Sequence, residues 1–201
     1  AIELYHGLAK SHPESAEEVT AGYLQVLAAC PNQLLARTYL AEIFLERREF
    51  AEVMKQYEFM INVDPSTAEA VIRRCREINK LQPEFLPARL VLGRAFLVSG
   101  DAQLAAVEAE GLIATDRNYS AAYGLLGEAY LKLKLGRKAV TVLGQALNLD
   151  PYNPQAQESY RLAKERDVDG EIENLAARIV TDPWRHALHA DLAKLYLQKN
   201  Q

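Results

Sequence analysis

From Ala121 to Pro151 the chain reads AAYGLLGEAYLKLKLGRKAVTVLGQALNLDP, with bulky apolar residues recurring three and four positions apart and Gly or Ala at fixed places between them. That spacing lines one face of an α-helix. The stretch is read as two helices joined by a short turn. The same order recurs upstream. Moved one unit towards the N-terminus, Tyr123, Leu126, Gly127, Tyr130 and Ala139 fall on Arg89, Leu92, Gly93, Phe96 and Ala105. A further, longer shift reaches Arg37, Leu40, Ala41, Phe44 and Val53. Large, small, large, small, then a closing Pro in fixed register is the mark of an internal repeat.

The small residues have a packing reason. Two helices packed face to face come closest where only Gly or Ala fits, and Gly127, Ala139 and Ala146 are read as such points. Tyr123, Leu126, Tyr130 and Leu143 fill the wider gaps around them. Gly costs about 1 kcal/mol against Ala in a helix, and closer packing offsets that loss.

This pattern resembles the tetratricopeptide repeat, a helix–turn–helix unit of about 34 residues. Ser120 to Asn153 carries Y-x2-L-G-x2-Y, A-x3-L and A-L-N-L-D-P; Leu86 to Tyr119 follows with Arg117 for the Pro; Leu34 to Thr67 has Ala41 for Gly and Val53 for Ala. Pro154 to Arg185 is a degenerate unit, expected to form one helix over Gln155–Arg166 and another over Glu171–Thr181. Ala1 to Ser15 reads as a second helix without its first, and His186 to Gln201 as a first helix without its second. The chain, which lacks an initiator Met, is therefore expected to be a piece of a longer repeat protein. The resemblance implies an all-α, right-handed α-solenoid.

Two stretches, Ala16–Gln33 and Ala68–Phe85, each have room for one helix and no partner. With them the expectation is twelve helices, no strands, and a super-repeat of three helices (Ala16–Thr67, then Ala68–Tyr119). Short loops make successive helices antiparallel, so an unpaired helix reverses the entry of the next pair. A bend is expected beside each. Loops are placed at CPNQ, DPST, QPEF, SGD and DPYN.

Composition narrows the function. A net charge of −4 argues against a nucleic-acid partner. No apolar run reaches the roughly 20 residues of a membrane span. Cys30 and Cys75 have no metal-ligand spacing and are expected to be buried thiols. There is no phosphate-cradling glycine loop and no nucleophile elbow. His186 and His189 lie on one predicted helix face but lack a further ligand at helical spacing, and are read as solvated polar residues. Arg73, Arg74, Arg76 and Lys80 form a basic run that Glu69 and Glu77 are placed to neutralise. No catalytic, metal or cofactor site is expected.

In the resembled family, first helices line a concave groove that takes peptides or helices of partner proteins. The register then implies Leu35, Thr38, Tyr39, Glu42 and Leu45 in the first full pair. Leu90, Val91, Arg94, Leu97 and Val98 follow in the next pair, and Gly124, Leu125, Glu128, Leu131 and Lys132 in the third. The last helix would offer Ala190, Asp191, Lys194 and Leu197. The Lys/Asn/Arg clamp that some members use on a C-terminal carboxylate is missing, with Thr38 and Glu42 standing at two of its places. A scaffold binding a protein or peptide partner in an apolar groove is the leading expectation. The alternatives are a structural spacer in a bacterial export or assembly protein, such as one of polysaccharide secretion, and a regulatory region fused to an enzyme. Self-association through Tyr5, Leu8, Leu192, Leu195 and Tyr196 at the exposed repeat ends is a further expectation. The compartment stays open between cytoplasm and bacterial periplasm.

Overall fold

The computed structural model describes residues 16–199, and these form ten α-helices with no strand among them. In chain order they are α1 (Ala16–Ala29), α2 (Leu34–Glu46), α3 (Phe50–Val63), α4 (Ala68–Leu81), α5 (Leu86–Ser99), α6 (Ala102–Thr115), α7 (Ser120–Lys132), α8 (Gly136–Leu149), α9 (Pro154–Thr181) and α10 (His186–Lys199). A 3-10 turn, Pro65–Thr67, joins α3 to α4. The expected helix over Ala1–Ser15 lies outside the described residues, as do Tyr5 and Leu8. The chain divides into two compact units, Ala1–Asp101 and Ala102–Gln201.

In the first unit α1 packs on α2, α2 on α3, and α5 receives both α3 and α4. The single helix α4 is thus seated mainly on α5. Its apolar side chains Val71, Cys75 and Ile78, fully or almost fully buried, recur at helical spacing and supply its inner face. Leu40, Val53 and Ile61 complete the centre of this unit.

In the second unit α7 packs between α6 and α8, and α9 packs on α8 and α10. The repeat register is visible in the burial. Ala105, Ala109 and Leu112 on α6 are fully buried, and so are Ala139, Leu143 and Ala146, their counterparts on α8. Gly127 is a close approach, because a Cβ there would lie 2.3 Å from Leu143 Cγ. The core around Leu131, Ala139, Leu143 and Ala163 is flanked by Tyr130, Val140, Tyr160 and Leu162.

The turns within pairs share one geometry. Arg48 (φ 59°), Gly100 (φ 96°) and Lys134 (φ 60°) each adopt the left-handed conformation. The N–H that follows each one reaches back beyond a full helical turn: Glu49 to Phe44 O, Asp101 to Phe96 O and Leu135 to Tyr130 O, all at 2.8 Å. This is the six-to-one closure of a helix C-terminus. The loops between pairs use Asp or Asn instead. Asp64 Oδ1 accepts from Ser66 N–H (2.9 Å), Asp116 Oδ1 from Asn118 N–H (2.9 Å), and Asn153 Oδ1 caps α9 through Ala156 N–H (3.0 Å).

The expected division of the degenerate unit into two helices is overturned. Pro154–Thr181 is a single helix of 28 residues, not two helices with a turn near Asp167–Gly170. Three features explain it. Helices α5, α7 and α9 begin at even spacing, at Leu86, Ser120 and Pro154, but α10 begins at His186, two positions short of that spacing. The turn has lost its length. The register position of the left-handed residue falls on Val168, and a β-branched side chain resists positive φ. The small slot held by Ala41, Gly93 and Gly127 falls on Arg161, which is exposed and paired with Glu158 (2.7 Å) and with Glu165. A returning helix has no place to dock there.

Candidate functional site

The expected groove residues separate into two groups. Thr38, Tyr39, Glu42 and Leu45 on α2 are all half-buried, and Leu35 beside them is exposed. They share one face of α2, at steps of three and four positions, while Ala36, Leu40, Ala41, Ile43 and Phe44 are buried on the other. Thr38 Oγ1 donates to Leu34 O at 3.0 Å, a bond internal to the helix. The Tyr39 ring lies 5.9 Å from Tyr23 of α1, tilted by 31°. Leu24 of α1 is exposed as well. Burial pushes the Tyr23 hydroxyl up to about 12, with Tyr39 and the Glu42 carboxylate adding to the rise. Glu42 therefore sits close enough to an apolar, aromatic surface to impose a negative charge on it.

On α5 the picture differs. Leu90 and Val91 are buried, at 9% and 3% exposure, so they belong to the core and line no open groove. A helix that receives both α3 and α4 has less face left over. Arg94 is half-buried and ion-paired with Glu58 of α3. Leu97 and Val98 are half-buried. On α7, Leu125 and Leu131 are buried too, at 2% and 7%, again contrary to the groove assignment. This helix is covered by α6, α8 and, more lightly, α9. Gly124 and Glu128 are half-buried, Lys132 is exposed, and Glu128 Oε1 accepts from Gln155 Nε2 of α9 at 2.8 Å. On α10, Ala190, Asp191, Lys194, Tyr196 and Leu197 are exposed, and Leu192 and Leu195 are half-buried.

Arg74 pairs with Glu77 at 3.2 Å, and the Arg76 guanidinium lies 5.5 Å from the Phe96 ring centre, so part of the basic run is spent on α4 and α5. His189 Nε2 lies 3.0 Å from Pro183 O. Among the described residues no group of three or more His, Cys, Asp or Glu is gathered for a metal ion. No helix among them is long and apolar enough to cross a membrane. Cys75 is buried as expected, whereas Cys30 is exposed: it follows α1 directly, its N–H bonds Val26 O at 2.8 Å, and it sits in the surface loop CPNQ.

No family model matches the chain, and no curated protein matches it. Solved structures do. YrrB, a TPR protein with an unusual peptide-binding site, is 15% identical, with 80% of this chain and 90% of that one covered and a TM-score of 0.48. The first TPR domain of human RPAP3 is 17% identical over 70% of this chain and 97% of that one, with a TM-score of 0.44. The thermophilic TPR protein TTC0263 from Thermus thermophilus is 16% identical over 98% of this chain and 100% of that one, with a TM-score of 0.44. All three TM-scores are below 0.5. The helical-repeat fold rests instead on this chain's own elements: helix pairs closed by one turn geometry, with Leu40, Leu92 and Leu126 and the small residues after them, Ala41, Gly93 and Gly127, buried in each.

Proposed function

We propose that the chain is a protein-interaction scaffold without catalysis, and that the surface of α2 takes an apolar peptide or helix from a partner protein. The observation that carries this reading is the half-open stripe Leu35, Thr38, Tyr39, Glu42 and Leu45, continued by exposed Leu24 on α1. Apolar side chains repeating along one exposed helix face offer anchor points at the spacing a bound helix or extended segment needs. Glu42 within that stripe favours a partner carrying a Lys or Arg beside its apolar anchors. Arg94 and Val98 on α5, and Glu128 and Lys132 on α7, remain candidates for further contacts in their own units.

The test is a screen of displayed peptides against the full chain, repeated with the double variant Tyr39→Asp, Leu45→Asp. Both side chains are partly exposed, so the helical circular dichroism should persist. Selected peptides should lose binding at least about tenfold, the effect of removing roughly 1.4 kcal/mol. Peptides that bind the double variant as well as the parent would end this reading.

A further inference from the structure

The fusion of α9 opens a crevice in the second unit, of about 860 Å³, bounded by the α7–α8 turn, the start of α8, the second half of α9 and α10. We propose that this crevice binds a carboxylate-rich segment of a partner protein, at a site separate from the α2 stripe. Its walls carry charge of one dominant sign. Lys134 comes from the turn, Arg137 and Lys138 from α8, Arg166 and Arg178 from α9, and Lys194 from α10. Against these six cations stand three carboxylates, Asp167, Glu171 and Asp191. The surplus is three positive charges inside a chain whose net charge is −4.

The carboxylates are already engaged. Glu171 holds Arg137, Asp167 Oδ1 lies 3.8 Å from Arg137 Nε, and Asp191 lies 3.5 Å from Lys194. Arg166 donates to Leu131 O at 2.9 Å, which fixes its guanidinium against the α7 end. Among the described residues, Lys134, Lys138 and Arg178 are the remaining lining cations without a carboxylate partner, left over for an incoming anion. Lys138 also stands 5.6 Å from the Tyr130 ring centre, a contact that holds the ammonium without neutralising it. The start of α8 adds to the same sign. Gly136, Arg137 and Lys138 precede its first internal bond, Ala139 N–H to Leu135 O, and no side chain caps it. Cations in a first turn also lie against the helix dipole, and an anion relieves that repulsion. Gly136 matters for another reason: a Cβ there would come within 3.0 Å of the Asp167 backbone N, so the bare residue lets α8 abut α9 and closes the floor.

An acidic peptide fits better than a nucleic acid. The crevice is lined by no aromatic ring on which a base could stack. Its own three carboxylates and the acidic remainder of the chain would repel a long run of phosphates, while a short acidic segment engages the cations locally.

The experiment is fluorescence anisotropy of a labelled hexaglutamate peptide with the full chain at about 50 mM salt, where screening is modest. Hexaglutamine and a hexathymidylate strand serve as comparison probes. Hexaglutamate should bind more tightly than both. The exposed double variant Lys138→Glu, Arg178→Glu should weaken it at least about tenfold, and Lys138→Gln, Arg178→Gln by a smaller factor. The Tyr39→Asp, Leu45→Asp variant should leave it unchanged, which separates this site from the one on α2. Absence of hexaglutamate binding, equal binding by the charge-reversed variant with retained helicity, or equal or tighter binding of hexathymidylate would overturn the proposal.

Discussion

Gly127 and Gly124 lie one turn apart on α7, yet their surroundings are opposite. A Cβ on Gly127 would meet Leu143 Cγ at 2.3 Å and Cδ2 at 2.5 Å, and Leu143 is fully buried with little room to move. A Cβ on Gly124 would meet no atom within 4 Å beyond the backbone of its own helix. Gly124→Ala should therefore stabilise by about 0.5–1 kcal/mol through helix propensity alone. Gly127→Ala should destabilise, because an overpacking cost of about 1–3 kcal/mol exceeds that gain. Urea titrations of both variants check the pair. The double variant Gly127→Ala, Leu143→Ala should lose less than the sum of the single losses, since the clash disappears with the leucine. The two cysteines differ as sharply. Burial pushes the Cys75 thiol up to about 12, and Tyr57 likewise rises to about 12, burial being the main cause in each. Below the ordinary thiol value of ~8.5 the folded and unfolded chains both keep the proton. Between that pH and about 12 only the folded chain keeps it. Stability should fall as pH rises through this window, by at most about 1.4 kcal/mol per pH unit for the thiol. Cys75→Ala should remove the part of the decline that begins near pH ~8.5–9, leaving the later part due to tyrosine. Cys30, being exposed, should react with iodoacetamide in the native chain while Cys75 reacts only on unfolding.

At the scale of the element, the helix pairs are legible in the sequence because periodicity and small slots agree. Ala41, Gly93 and Gly127 fall in register, and so do Val53, Ala105 and Ala139, all of them buried. The fused α9 is also written in the sequence, though in signals weaker than the motif. Arg161 at the small slot, Val168 at the left-handed slot and a unit two residues short each contradict a returning helix, but a loose match to the repeat hides them. Gly170 and Asp182-Pro183 look like turn chemistry in isolation; only the second ends a helix. Gly170 lies inside α9 with nothing within 4 Å of a Cβ. Gly170→Ala should thus raise the midpoint of thermal unfolding by a few degrees, from about 0.5–1 kcal/mol of propensity. A fall in the midpoint would mean a turn with positive φ at that residue. The caps are less visible: α2, α3, α5, α7 and α8 start without a side-chain cap, so their boundaries are set by packing and by the closing turns.

For the whole molecule, the register of a repeat tells which face a residue occupies but not what else covers that face. Leu90, Val91 and Leu125 hold groove positions by register and are nonetheless buried, on helices that take more neighbours than a plain pair supplies. Thr38, Tyr39, Glu42 and Leu45 hold the same positions on α2 and stay half-open. Exposure in a repeat array is thus decided by what packs on each helix: α3 and α4 on α5, and α6, α8 and, more lightly, α9 on α7. The charge balance behaves the same way. A value of −4 for the chain hides a local surplus of cations, because residues from Lys134 to Lys194 are drawn together around the uninterrupted α9.

That uninterrupted helix has a mechanical consequence. Stacked helical hairpins yield under load at their turns, and α9 has one turn fewer than its neighbours. Its 28 residues extend ~42 Å at about 1.5 Å per residue, so a pull on α10 is passed to α8 along an unbroken strut. The compliance left in this stretch of chain gathers in the loop Asp182–Arg185, where shear would be felt first.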